Sequence, residues 1–421
     1  MIAILGAGIS GISAGYHLSL RGIENTVFEK RARWGGLCDN FILGESFLFD
    51  YFVHLSFAKD DVVKNLLYNV DYYTHEPVSS NYYNGHWLKH PAQNNLAPLP
   101  VDEKVKIILD FLNRPEINKP ANYKEWLIAQ FGNYFTDNFP GKYTRKYWTI
   151  EANELTTDWL GNRFSLPPLD KILKGAFEEQ VDNFYYTQEM RYPKIGGYKS
   201  FLNKMASQVN IGCDKAAVLI DLKSKRIDFN DGTSVYYKKL VSSIPLPELI
   251  KIIKDVPTII KEAGEKLLAT SGQLVSLGFN RPDVPKNLWF YIYDEDILPA
   301  RAYSPSLKSP SNVPVGKSSL QFETYFSKKS PKKLDGGALI EHIVEKGKKM
   351  RLWSPEEIEV SDYREVKYAN VVFDHNRRKN LSKIHKYLDQ IGIHYIGRFG
   401  EWDYLWSDQS LLSGKKIAET I

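Results

Sequence analysis

Residues 2–5 form a short unbroken apolar run, followed by a glycine-rich turn and then by apolar residues at Ile12, Ala14, Tyr16 and Leu18. That spacing predicts a buried strand, a tight turn and a helix. Thr26-Val27-Phe28 predicts a second strand, which ends at the acidic Glu29. Beyond about residue 60 the period becomes helical. VDEKVKIILDFLN (101–113) and YKEWLIAQFGNYF (123–135) carry apolar positions three and four apart, with Pro115 and Pro120 between them. Ala217 to Leu222 and Arg226 to Phe229 alternate as strands around the turn signal Asn230-Asp231-Gly232. LVSLGF, LWFYIY and SLQFETYF, between Leu274 and Phe326, predict a sheet that walls a cleft. The segment HYIGRFGEWDYLWSDQSLLSGKKIAETI (394–421) reads as strand, loop and closing helix. There is no internal repeat and no low-complexity tract.

Length and composition narrow the class. A chain of 421 residues with 43% apolar and 25% charged side chains can bury a large core in two or three lobes, which sets disorder aside. No apolar run approaches a membrane span, and MIAILGAGIS lacks the basic flank of a signal peptide, so a cytoplasmic protein without a membrane partner is expected. Cys38 and Cys213 have no CxxC spacing and are expected as unpaired thiols, with no metal site. The net charge of +5 is modest. The basic clusters SKKSPKK (327–333) and EKGKKMR (345–351) read as solvated faces, so nucleic acid is not an expected partner.

The first turn carries the sharpest chemistry. In Gly6-Ala7-Gly8-Ile9-Ser10-Gly11 the first glycine permits the tight turn and the second lets a pyrophosphate approach the backbone. The third lets helix and strand pack closely, and the helix N-terminus faces the phosphates with unpaired N–H groups. Glu29, 18 residues after Gly11, is placed to accept from a ribose. No second GxGxxG occurs, so no dedicated NAD(P)H unit is expected.

Other clusters stay open on composition. His54 ends FDYFVH (49–54) and could be a structural or a cofactor-side histidine. Phe139 to Arg163 interleaves aromatics and cations, which suits stacking a base and clamping a diphosphate, but equally suits a helical pair with buried aromatics. Tyr291, Tyr293, Arg301 and Tyr303 could receive phosphates or form an ordinary strand. No hydrolase or metalloprotease motif and no Walker loop is present, so covalent chemistry falls to a cofactor.

The continuation Arg31-Ala32-Arg33-Trp34-Gly35-Gly36-Leu37, a glycine pair after the acid, resembles the FAD proteins that include amine oxidases, protoporphyrinogen oxidases and sugar-nucleotide mutases. Together with the later blocks, the chain resembles the flavin-dependent UDP-galactopyranose mutases, nearer the eukaryotic type, over nearly its whole length. The resemblance implies an α/β fold: an FAD-binding Rossmann-type domain like that of glutathione reductase, a helical domain and a substrate-side antiparallel sheet. Residues 1–60, 195–250 and 385–421 would form the FAD domain, with Lys239 to Pro245 as a returning strand. Residues 61–194 would form a mainly helical substrate domain, and 251–384 the domain holding the sheet.

The resemblance also implies site roles. Gly6, Gly8, Ile9, Ser10, Gly11, Glu29, Lys30, Gly35, Gly36, Leu37, His54, Arg398 and Gln409 would bind FAD. Gln93, Phe139, Tyr143, Trp148, Trp159, Tyr291, Tyr368 and Tyr404 would bind the nucleotide sugar. Arg163 and Arg301 would hold its diphosphate, with His54 acting against the flavin. The implied reaction interconverts UDP-galactopyranose and UDP-galactofuranose through a sugar adduct at N5 of reduced FAD, for cell-surface polysaccharide synthesis. An external electron donor would keep the flavin reduced, and a homodimer is one option for assembly. The family's asparagine after Tyr143 is Thr144 here, and the tyrosine three before Gln93 is His90. Both departures leave room for a dTDP-6-deoxyhexose such as dTDP-fucose. An amine or protoporphyrinogen-type oxidase shares the N-terminal half of these signals.

Overall fold

Ile2–Leu5 is buried at all four positions because it is the middle strand of a five-stranded parallel sheet. A computed structural model describes residues 1–161, 168–180 and 187–421. The strand order is Ile393–Tyr395, Lys239–Ser242, Ile2–Leu5, Asn25–Phe28 and Ile211–Gly212, so four distant stretches of chain converge on the first turn. Parallel sheets need both faces covered, which explains the unbroken apolar run. One cover is the helix Ile9–Leu20, against which the helix Ser407–Thr420 packs. A Cβ on Gly414 would stand 2.2 Å from the Ser10 carbonyl oxygen, and Ser13 Oγ donates to the Leu411 carbonyl at 2.7 Å.

The larger sheet has seven strands in the order Ile358–Val371, Ala269–Phe279, Ser318–Phe326, Arg301–Tyr303, Trp289–Ile292, Ser79–Tyr83 and His86–Lys89. All neighbours run antiparallel except Trp289–Ile292 with Ser79–Tyr83. The three strands expected between Leu274 and Phe326 are its centre. Its Ser79–Lys89 hairpin falls where the apolar spacing reads as helix. The missed signal is Asn84-Gly85, with φ of +48° and +83°, the two left-handed positions that a tight hairpin turn demands.

Helices Val101–Leu112, Tyr123–Phe131, Asn133–Asn138 and Pro140–Tyr147 form the lobe beside this sheet. The single helix expected over 123–135 breaks at Gly132, whose φ is +81°. There the Asp110 carboxylate accepts the Tyr134 N–H at 2.6 Å and caps the second piece. A small sheet of Ala217–Asp221, Arg226–Phe229 and Ser234–Tyr236 completes the fold. The Asn230-Asp231-Gly232 turn joins its second and third strands rather than the two runs read from sequence. No described helix is long and apolar enough to cross a membrane. Both cysteines are free thiols. Lys329, Lys333, Lys346 and Lys349, from the two basic clusters, pair with surface carboxylates.

Candidate functional site

One cavity of about 780 Å³ runs from the first turn, between the two large sheets, to the helical lobe. Gly6, at φ +94°, turns the chain from strand to helix. Gly8 borders the cavity, and a Cβ there would meet no atom within 4 Å. Gly11 is the opposite case. Its Cβ would lie 1.9 Å from the Gly6 carbonyl oxygen, so Gly11 serves packing and does not reach the cavity. Ile9 and Ser10 open the helix at the cavity wall, where its dipole favours an anion. Gly35 donates its N–H to Ala7 at 2.8 Å, and Gly36 lies so close to Gly8 that a Cβ would stand 3.1 Å from the Gly8 Cα. The Glu29 carboxylate accepts the N–H of Ala7 at 2.9 Å and of Arg31 at 3.0 Å. Each oxygen keeps a second lone pair, so Glu29 fixes the turn and can still accept from a hydroxyl. Lys30 and Leu37 line the same end.

The next wall is the loop after the strand Phe47–Asp50. Phe52 has φ +66°, a strained value for a residue with a side chain. Its ring stacks on Tyr325 at 6.1 Å and 6° from parallel, in the space that Gly272 leaves. Glu323 Oε1 accepts the Val53 N–H at 2.9 Å. On the other side Asp50 pairs with Lys308 at 2.7 Å, both side chains fully buried, and also accepts from the Tyr192 hydroxyl and the Tyr198 N–H. Lys308 Nζ also approaches the His54 carbonyl at 3.5 Å. The backbone at Val53 and His54 is thus held from two sides, and the His54 Nδ1 lies 3.3 Å from the Phe52 carbonyl. Burial pulls its pKa down to about 4 despite Asp50, so the ring is neutral at pH 7.

At the far end Arg301 reaches the cavity from a short central strand. Its Nε pairs with Glu323, Nη2 lies 3.5 Å from the Tyr325 hydroxyl, and the guanidinium lies 5.4 Å from the Tyr147 ring centre. Burial favours the neutral form, but the Glu323 carboxylate together with the surrounding Tyr325, Tyr147 and Tyr143 outweighs it and holds the group charged. Tyr143, Tyr291, Trp148, Trp159 and Tyr404 share this wall. Trp148 lies 5.0 Å from Trp159 and 5.2 Å from Tyr404, and the Tyr404 and Tyr147 hydroxyls are 3.0 Å apart. Arg398 sits in the π-helical turn Arg398–Trp402, a geometry frequent at functional sites. It donates to the Leu405 carbonyl at 2.8 and 2.6 Å, with its guanidinium 5.0 Å from the Tyr404 ring centre, and so sets the loop that presents Tyr404. Gln93 lines the cavity beside His90, whose pKa burial lowers to about 4.

Some residues picked from sequence lie elsewhere. Phe139 is wholly buried between Phe135 and Tyr83, and Phe135 takes the place at the wall. Gln409 is exposed and caps its helix by accepting the Trp406 N–H at 2.8 Å, while Ser407 and Ser410 line the cavity. Tyr368 borders the cavity, but its hydroxyl donates to Glu248 at 2.6 Å. Burial alone would raise the Glu248 pKa; the bonds from Tyr368, Lys367 and Lys251 bring it down to about 2. Arg163 lies outside the described residues. Glu323, Tyr147, Tyr325, Asp50 and Lys308 escaped the sequence reading. The one hint was a carboxylate inside the strand SLQFETYF, read as part of a sheet. Among the described residues no cluster of three metal-ligating side chains occurs.

Residues 4–69 match the profile of the NAD(P)-binding Rossmann-like domain. Among solved structures, the chain is similar to reduced UDP-galactopyranose mutase, with TM-score 0.91 and 24% identity over 99% of this chain and 93% of that one. It is also similar to a proposed protoporphyrinogen oxidase from Exiguobacterium sp. 255-15, with TM-score 0.75 and 13% identity over 100% and 98% of the two chains. A third is putrescine oxidase with bound putrescine, with TM-score 0.64 and 16% identity over 100% and 98%. At these identities the likeness is one of fold, a mixed α/β architecture with a Rossmann-type nucleotide-binding domain and several antiparallel sheets. Such a fold hosts more than one chemistry.

Proposed function

We propose that the protein is a flavin-dependent sugar-nucleotide mutase that interconverts UDP-galactopyranose and UDP-galactofuranose. The observation that carries this reading is the charged Arg301, set among the phenols of Tyr291, Tyr147 and Tyr404 in the cavity that begins at the glycine turn. An aromatic-walled end that presents a guanidinium suits a nucleoside diphosphate. The other end fits FAD. Open space at Gly8, the helix N-terminus at Ile9 and Ser10, and the spare lone pairs of Glu29 suit a pyrophosphate and a ribose.

Reduced FAD, when bound, supplies the nucleophile for the anomeric carbon. The chain supplies position and charge. Arg301, with Arg163 as its partner from sequence, would hold the departing diphosphate for its return. Tyr404 and Tyr147 would direct hydroxyls at the same group, and Trp148 and Trp159 would exclude water. Neutral His54 would offer a dipole without a competing cation. The flavin would be reduced by an external donor.

A dTDP-6-deoxyhexose is the second reading, favoured by Thr144. Its hydroxyl donates to the Pro140 carbonyl at 2.6 Å, so it does not replace the donor that an asparagine would offer a base. To test both, the dithionite-reduced protein is incubated with UDP-galactofuranose and with dTDP-fucofuranose, and the pyranoses are followed by chromatography. Conversion of one supports the corresponding reading. A colourless protein, or substrate oxidation by the aerobic yellow protein without conversion, would sink the mutase.

A further inference from the structure

Among the described residues, Glu323 is a carboxylate that bonds both Arg301 and the loop carrying His54. Its side chain is fully buried in the strand Ser318–Phe326, an interior strand of the seven-stranded sheet. Oε2 takes the Arg301 Nε and the Tyr325 hydroxyl, while Oε1 takes the Val53 N–H at 2.9 Å. Val53 lies between the strained Phe52 and His54, and the Tyr325 ring that shares Glu323 also stacks on Phe52. Two links therefore join the cation to the His54 loop, one through a carboxylate and one through a ring. Lys308, paired with Asp50, grips the loop from the opposite side.

We propose that Glu323 is a positioning residue that couples anion binding at Arg301 to the backbone carrying His54. The inference rests on the reading that Arg301 meets a diphosphate and that the glycine end holds flavin. An anion drawn to the guanidinium competes with Glu323 for the same positive charge. The carboxylate then becomes a stronger acceptor for the Val53 N–H, and the loop tightens around His54. Binding at one end of the cleft thereby alters the setting of the flavin at the other, which is a coupling between two sites.

The test uses FAD-loaded protein in its oxidised form, titrated with UDP and separately with inorganic pyrophosphate, and reads the visible flavin difference spectrum. Wild type is expected to show a saturable change. Glu323→Gln keeps an oxygen for Val53 but loses the charge that senses the anion. Its difference spectrum should fall at least about fivefold while the UDP dissociation constant moves less than about threefold. A merely structural role would lower the melting temperature and leave the difference spectrum intact, and that result overturns the proposal. So does a wild-type flavin indifferent to both probes. If pyrophosphate moves the wild-type spectrum through Glu323 but no nucleotide sugar is converted, the coupling stands and the mutase reading alone falls.

Discussion

Arg301 and Glu323 form a buried ion pair whose members are worth less apart than together. Removing one partner of such a pair leaves an uncompensated charge and costs about 3–5 kcal/mol, whereas replacing both with apolar groups is often neutral. Arg301→Met is therefore expected to lower the unfolding free energy by about 3 kcal/mol, and adding Glu323→Leu should return most of that loss. UDP affinity should fall in both proteins and recover in neither. Urea melts and UDP titrations of the two variants decide the matter. A double variant no more stable than the single one would show that the charges do not compensate each other. The same pair explains what was hidden in the sequence. Arg301 stands out because a guanidinium near tyrosines suggests an anion, while Glu323 reads as one polar position in a strand. Only the sheet, by burying both faces of Ser318–Phe326, turns it into a group that must have partners.

The turn between Ile2–Leu5 and Ile9–Leu20 separates two uses of glycine. At Gly11 an added methyl collides with backbone 1.9 Å away, and at Gly8 it meets nothing within 4 Å. Gly11→Ala should thus yield protein that melts early or fails to fold. Gly8→Ala should keep its melting temperature in the flavin-free state and lose about tenfold or more in FAD affinity, because its methyl occupies the approach of the pyrophosphate. Thermal melts and flavin content separate the two effects, and equal behaviour of the variants would refute the division. This element was legible because its logic is local: strand, turn, helix and acid lie within the first 29 residues. The aromatic block was legible only as composition. Which ring faces the cavity depends on how the helices pack, and so Phe135 stands where Phe139 was expected. The hairpin Ser79–Lys89 carries a local turn signal at Asn84-Gly85, but its place in the sheet depends on a parallel pairing to residues more than two hundred positions away.

Across the molecule, burial lowers the pKa of seven of the nine histidines: His17, His54, His75, His90, His342, His385 and His394. For His54, His90 and His385 the value falls to about 4. Between pH 6.5 and 4 the unfolded chain binds protons that the folded one refuses, so stability rises with pH through this window and is lost as pH falls. Urea melts at pH 7 and pH 5 should differ by roughly 1–2 kcal/mol for each of these three groups. Equal stability at the two values would show that the rings titrate normally in the fold. The parallel sheet has another consequence, one of timing. Ser13 is bonded to Leu411, 398 residues further along, and the helix Ile9–Leu20 is covered by Ser407–Thr420. At about 5–20 residues per second a ribosome needs roughly 20–80 s to make that distance. Throughout that interval the nascent chain carries its nucleotide-binding turn on an apolar helix that lacks this cover, a ready substrate for chaperones.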